Sequence, residues 1–224
     1  MKRPENVRVL FVEARKKDSF FDSELKMFAG NAADALNILP KSFSIAYTIQ
    51  YKYIAERLKL FFEKNGKKIS GIMQVVGCTI LKTKEKNLLL IGSGRFHALQ
   101  LAVQGKNLYV YENAGISRLN RQDIDRLLLN KKVALSKFFS AESVGILISS
   151  KAGQNNLAVA LSLKKRIEKL GKKPFLFISD TISARELENF NIDFWVNTAC
   201  PGIAVYDDNK NVLNCAELGS ILHA

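Results

Sequence analysis

The chain has 224 residues, 47% hydrophobic and 25% charged, the balance of an ordinary globular protein with room for one large domain or two smaller ones, each burying a core. No window of about 18 uninterrupted apolar residues occurs, and the opening "MKRPENVRVLFVEARKK" has too short an apolar run for a signal peptide, so a membrane protein is not expected and a cytoplasmic one is. The net charge of +13 suggests an acidic partner. The basic residues are nevertheless spread, as in "KKRIEKLGKK" and "KTKEK", with no nucleic-acid motif beside them, which favours solvated lysine-rich helix faces over a nucleic-acid patch.

In chain order, Val7–Ala14 reads as a buried strand, and the segment Ile45–Asn65 carries helical spacing from Tyr53 onward until Gly66 ends it. Ile69–Cys78 reads as a strand ending in a cysteine, followed by strands at Asn87–Ile91 and Leu108–Tyr111 around the helix-compatible "FHALQLAVQ". Arg118–Ser140 suits a helical connector through Ile124, Leu127, Leu128, Val133 and Leu135. Then come strand Val144–Ser149, a loop, helix Leu157–Leu170 stopped by Gly171, strand Pro174–Ile178, helix Ala184–Phe190 and strand Phe194–Thr198 leading to Cys200. Alternating strands and helices imply an α/β fold with parallel sheets. "NGKKISGIMQVVGC" set beside "LGKKPFLFISD…NTAC" suggests an internal duplication. The expectation is therefore two similar Rossmann-like domains, residues 1–140, with the connector at its end, and 141–224.

Three cysteines, Cys78, Cys200 and Cys215, are an odd number, and none forms a CxxC pair, so neither a disulfide framework nor a zinc signature is present. Cys78 and Cys200 each follow an apolar strand, with small Gly77 or Ala199 in front, in what read as equivalent places of the two repeats. Strand ends are where open α/β sheets form ligand crevices. Two readings stand: small buried hydrophobes, or soft thiolates suited to iron–sulfur or zinc. In "IGSGRFHALQLA", Gly92 and Gly94 lie between strand and helix, where backbone amides can meet a phosphate or carboxylate, but the third glycine of a dinucleotide fingerprint is missing. His97 there either binds an anion or caps the helix, capping being preferred. In "SSKAGQNN", Lys151, Gly153 and Gln154 suit a carboxylate, a ribose or a plain turn. With His97 and His223 the only histidines, no nucleophile–base set can be assembled and no catalytic residue is assigned.

Taken in order, "MQVVGCT", "IGSGRFHALQLA", "SSKAGQ" and "SDTISARELENFNIDFWVNTACPGIAVYDD" resemble the archaeal diphthamide-synthesis enzymes, the 2-(3-amino-3-carboxypropyl)histidine synthases. The resemblance spans Val7 to Glu217. It implies three similar α/β domains, each giving one cysteine to a central 4Fe-4S cluster. The cluster's open iron would bind S-adenosylmethionine, whose reductive cleavage gives a 3-amino-3-carboxypropyl radical that is added to a histidine of translation elongation factor 2. On that likeness Cys78 matches the middle-domain ligand and Cys200 the last-domain ligand, while Gly92, Gly94, His97 and Gln154 line the S-adenosylmethionine pocket.

The chain begins where the family's second domain would begin, so a first domain and its cysteine are expected to be missing. The family's arginine after "ACP" is Gly202 here, the proline after "FH" is Ala98, and the acidic residue after Asp180 is Thr181. The expected partners are elongation factor 2 as substrate and either a second copy or a separate first-domain chain. The rival readings are a non-catalytic partner subunit and, on charge alone, a nucleic-acid-binding protein. Cys215 is expected to be a packing or surface cysteine.

Overall fold

A computed structural model describes residues 19–76, 79–92, 95–206 and 211–222; the strand expected at Val7–Ala14 lies outside them. The chain divides into two compact units, Met1–Ile124 and Asp125–Ala224. The division falls at the end of the first turn of the observed helix Arg121–Ser140, whereas the sequence-based boundary near 140 lies at its far end. Ala134 and Phe138 on that helix are buried in the second unit's core, which ties its C-terminal half to that unit.

The first unit runs α1 (Ser19–Gly30), α2 (Ala32–Ile38), β1 (Ser42–Tyr47), a single 3-10 turn, α3 (Lys52–Lys64), β2 (Lys68–Gln74), β3 (Asn87–Ile91), α4 (Arg95–Ala102), β4 (Asn107–Glu112) and β5 (Gly115–Arg118). Its sheet has the order β2-β1-β3-β4-β5, with only β5 antiparallel. Ile54, Ala55, Leu58 and Phe62 recur at three- and four-residue spacing on the buried side of α3. Phe62 there meets Phe43 of β1 edge-on at 5.5 Å between centroids. The opposite face of the sheet is covered by α4 through Ala98, Leu101 and Ala102.

From Asp125 onward the second unit comprises the rest of α5 (Arg121–Ser140), then β6 (Ser143–Ser149), α6 (Leu157–Lys169), β7 (Lys173–Ser179), α7 (Ala184–Leu187), β8 (Phe194–Asn197), α8 (Ile203–Tyr206), β9 (Val212–Asn214) and α9 (Cys215–Leu222). Its four strands are all parallel, in the order β7-β6-β8-β9. One face packs α5, α6 and α9 through Phe138, Leu163, Ile167 and Leu218. The other carries Leu147, Trp195, Val212 and Leu187.

The duplication is legible atom by atom. Gly66 and Gly171 both take φ near +76° (77° and 75°), the left-handed conformation that ends a helix cheaply only at glycine. The lysine after each donates its ammonium to two backbone carbonyls: Lys67 to Leu36 and Leu39, both at 2.6 Å, and Lys172 to Phe139 and Ala141 at 2.7 and 2.6 Å. Ser42 pairs with Lys68 in β1–β2 just as Ser143 pairs with Lys173 in β6–β7. Hence β1, β2, β3 and β4 correspond to β6, β7, β8 and β9. Part of the positive charge thus closes carbonyls inside the fold, Lys106 on Thr83 and Glu85 at 2.8 Å being a third case.

This correspondence corrects one expectation. In chain order Cys78, itself outside the described residues, comes after β2, the counterpart of β7, whereas Cys200 comes after β8, the counterpart of β3, so the two cysteines do not follow corresponding strands. The first-unit counterpart of the Cys200 loop is the segment that begins at Gly92. The helix expected to run to Phe190 is only Ala184–Leu187, and β1, β5, β9, α1, α2, α8 and α9 are elements the sequence reading does not contain. No helix among the described residues is long and apolar enough to cross a membrane.

Candidate functional site

In the second unit, β6 connects through α6 to β7 on one side, while β8 lies on its other side. The carboxyl ends of β6 and β8 therefore flank a topological switch point, where the crossovers leave a crevice. The residue presented there is Cys200, a free thiol, partly exposed.

The loop that carries it is held from below by side-chain amides. Asn197, the last residue of β8 and 1% exposed, donates from Nδ2 to the Cys200 carbonyl and to Asn214 Oδ1, both at 2.7 Å. Its Oδ1 accepts the Ala199 N–H at 2.9 Å. Asn214 on β9, 6% exposed, donates to the Pro201 carbonyl at 3.2 Å, and Asn156 donates to the Thr198 carbonyl at 2.7 Å. Thr198 anchors the loop to the neighbouring strand, both its N–H and its hydroxyl donating to the Leu147 carbonyl at 3.0 and 2.7 Å. The carbonyls of residues 198, 200 and 201 thus each accept from a different asparagine. A buried amide pair with every hydrogen bond made is rigid, whereas one left partly unmade is costly.

Gln154 lies on the same sheet edge, closing a turn in which its N–H donates to the Lys151 carbonyl at 3.1 Å and Gly153 takes φ +78°. Asn156, two residues on, ties this turn's loop to the Cys200 loop. Cys215 begins α9 and packs against the core; burial, with the Glu217 carboxylate adding to it, pushes its thiol above the ordinary range. That is a packing cysteine, as expected.

In the first unit the corresponding crevice lies between β1 and β3. A Cβ placed on Gly92 would meet Thr48 Oγ1 and Cγ2 at 3.0 Å, a close approach that glycine allows. Thr48 Oγ1 is buried and has no hydrogen-bond partner among the described residues, which is uncommon for a buried hydroxyl. His97 sits in the first turn of α4, half-buried. Cys78 and Gly94 lie outside the described residues. Among the described residues no three His, Cys, Asp or Glu side chains gather closely enough to hold a metal ion.

Sequence reading missed Asn156, Asn197, Asn214 and Thr48. The available signal was a polar residue inside a buried strand, Asn197 within "FWVNT", where β-propensity and burial both disfavour asparagine.

The family model of diphthamide synthesis proteins matches residues 1–223. The chain belongs to that family. It is 28% identical over 218 residues to the 2-(3-amino-3-carboxypropyl)histidine synthase of Pyrococcus horikoshii, covering 92% of this chain and 62% of the relative. It is 30% identical over 137 residues to subunit 1 of the enzyme from Encephalitozoon cuniculi, 59% of this chain and 39% of the relative. The crystal structure of Dph2 from Pyrococcus horikoshii with a 4Fe-4S cluster superposes with a TM-score of 0.76 at 26% identity, covering 89% of this chain and 62% of that one. The diphthamide family chain thus spans less than two thirds of these relatives' length.

Proposed function

We propose that this chain takes part in transferring the 3-amino-3-carboxypropyl group of S-adenosylmethionine to a histidine of translation elongation factor 2. The first unit stands for the family's middle domain and the second for its last. Cys200 holds a 4Fe-4S cluster together with Cys78 and a third thiolate outside the described residues, from a first-domain chain or a second copy. The observation that carries this reading is Cys200 itself: a free, partly exposed thiol at a switch point, on a loop fixed by amides, in a chain of this family.

The donor chemistry fits, since soft thiolates suit iron–sulfur clusters. When bound, the cluster supplies the electron that cleaves S-adenosylmethionine. The chain's own residues bind and orient. Gly92, Gly94, His97 and Gln154 line the S-adenosylmethionine pocket, and the Thr48 hydroxyl beside Gly92, which has no partner among the described residues, provides a hydrogen bond for a polar ligand atom. Gly202, where the family has arginine, removes a cation from the loop and leaves anion binding to backbone amides.

The test is transfer of label from carboxyl-labelled S-adenosylmethionine to elongation factor 2 by anaerobically reconstituted protein, alone and with a first-domain chain. Transfer that is lost in Cys200→Ser and kept in Cys215→Ala supports the reading. No transfer and no cleavage of S-adenosylmethionine in any combination overturns it in favour of a non-catalytic subunit.

A further inference from the structure

The repeated architecture contains its own control for the asparagine cradle. Counting from the matched pairs Ser42–Lys68 and Ser143–Lys173, Ala46 corresponds to Leu147. Ala46 pairs with Leu90, and Leu90 with Val110; Leu147 pairs with Asn197, and Asn197 with Asn214. At corresponding places of the two sheets, then, the first unit has an apolar pair and the second has two amides.

Leu90 is buried in the first unit's core with Val110 packed against it, so the architecture closes well with hydrocarbon there. Two buried amides, on β8 and the edge strand β9, are what fold stability alone would not select, because each must be fully hydrogen-bonded merely to offset its loss of water. Such local departures from core chemistry are expected where function requires them. What differs in sequence between the units after these strands is the cysteine: the second unit has Cys200, the first "GSG".

We infer that Asn197 and Asn214 are positioning residues for Cys200, dispensable to the fold and present to hold the loop 198–203 in one conformation. The mechanism is direct. Asn197 clamps the loop's entry at the Ala199 N–H and its apex at the Cys200 carbonyl, Asn214 clamps the Pro201 carbonyl, and the two amides lock each other through a shared hydrogen bond. With backbone fixed on both sides of Cys200, its sulfur is left only side-chain rotation. A metal ligand supplied from a preset loop needs no ordering when the group binds. That Cys200 is a cluster ligand rests on the function proposed above; the clamping of the loop does not.

The experiment transplants the first unit's pair into the second, as Asn197→Leu with Asn214→Val in the full chain, and compares it with Asn156→Ala, an exposed change that frees only the Thr198 carbonyl. Hydrogen exchange at the Ala199 amide and across 198–203 is measured without metal. Iron content and the low-temperature EPR spectrum of the reduced, reconstituted protein, with a first-domain chain added, follow. The expected result is a native circular dichroism spectrum, a melting temperature no lower than wild type, exchange at Ala199 faster by about tenfold or more, and a broadened EPR signal. Asn156→Ala gives a smaller acceleration at the same loop. Failure of the double variant to fold overturns the inference, because the amides would then belong to the fold; so does a folded double variant with wild-type exchange at Ala199. If wild type binds no iron while the exchange result holds, the cluster reading falls and the positioning role stands.

Discussion

Gly145→Ala is the sharpest perturbation of the frame that carries Cys200. Gly145 lies in the middle of β6, paired with Trp195 of β8, and a Cβ there would stand 2.2 Å from Trp195 Cε3 and Cζ3. Ordinary carbon contacts begin near 3.4 Å, so the indole must retreat by about 1.2 Å. It has little room: Trp195 is 3% exposed and meets the Phe177 ring at 4.7 Å and the Phe190 ring at 6.1 Å. Overpacking of this kind costs about 2–3 kcal/mol, or about 5–10 °C in melting temperature for a chain of this length. Trp195 is the single tryptophan, so its fluorescence reports the displacement directly beside the melting curve. The first unit has Ser44 and Leu88 where the second has Gly145 and Trp195, by the same registers. Gly145→Ser combined with Trp195→Leu is accordingly expected to lose less than the sum of the single changes, with a coupling of about 1–3 kcal/mol. Gly71→Ala, whose Cβ would lie 3.8 Å from Ser44 Oγ, is the control, within about 0.5 kcal/mol of wild type. A Gly145→Ala protein with wild-type melting and unchanged tryptophan emission would refute the argument.

Asp193 accepts hydrogen bonds from the N–H groups of Glu142 and Ser143 and from the Ser143 hydroxyl at 3.1, 2.8 and 2.8 Å, and the Ser143 bonds above all hold its carboxyl below the ordinary range. A depressed carboxyl stabilises the fold above its unfolded value, near pH 4, and loses that contribution as pH falls further. Asp193→Asn is expected to melt lower than wild type at pH 7, with the gap closing in acid; a gap independent of pH contradicts this. The Cys215 thiol, pushed up by burial, should alkylate slowly at pH 8 and quicken only above the ordinary thiol range near 8.5; rapid labelling by iodoacetamide at pH 8, read by peptide mass, would count against its packing role. Lys172→Met removes two charge-assisted hydrogen bonds to carbonyls and is expected to lower the urea midpoint by an amount equivalent to about 1–3 kcal/mol; an unmoved midpoint would show that water replaces the ammonium without cost.

The α/β class, the alternation, the strands at Asn87–Ile91 and Val144–Ser149 and the helix from Leu157 were legible because their apolar periodicity is local. β1 was not, since Ser42–Tyr47 mixes serines into a segment buried on both faces, and only its place between β2 and β3 makes that burial sensible. β5 was hidden by its turn: Asn113 and Ala114 both take positive φ, but alanine gives no turn signal in sequence where glycine would. The helix expected to reach Phe190 stops at Leu187, because Phe190 instead packs its ring against Phe177 at 4.8 Å. At the site, Cys200 was visible from its strand and its motif. Its supports were not, since Asn156, Asn197 and Asn214 come from three separate segments and meet only when β6, β8 and β9 align.

The most direct test of the account is iron and acid-labile sulfide content, with EPR after reduction, of the anaerobically reconstituted chain supplied with a first-domain partner, for wild type, Cys200→Ser and Cys215→Ala. The account predicts a 4Fe-4S signal in wild type and Cys215→Ala that is lost or converted in Cys200→Ser. An unchanged signal in Cys200→Ser would contradict it.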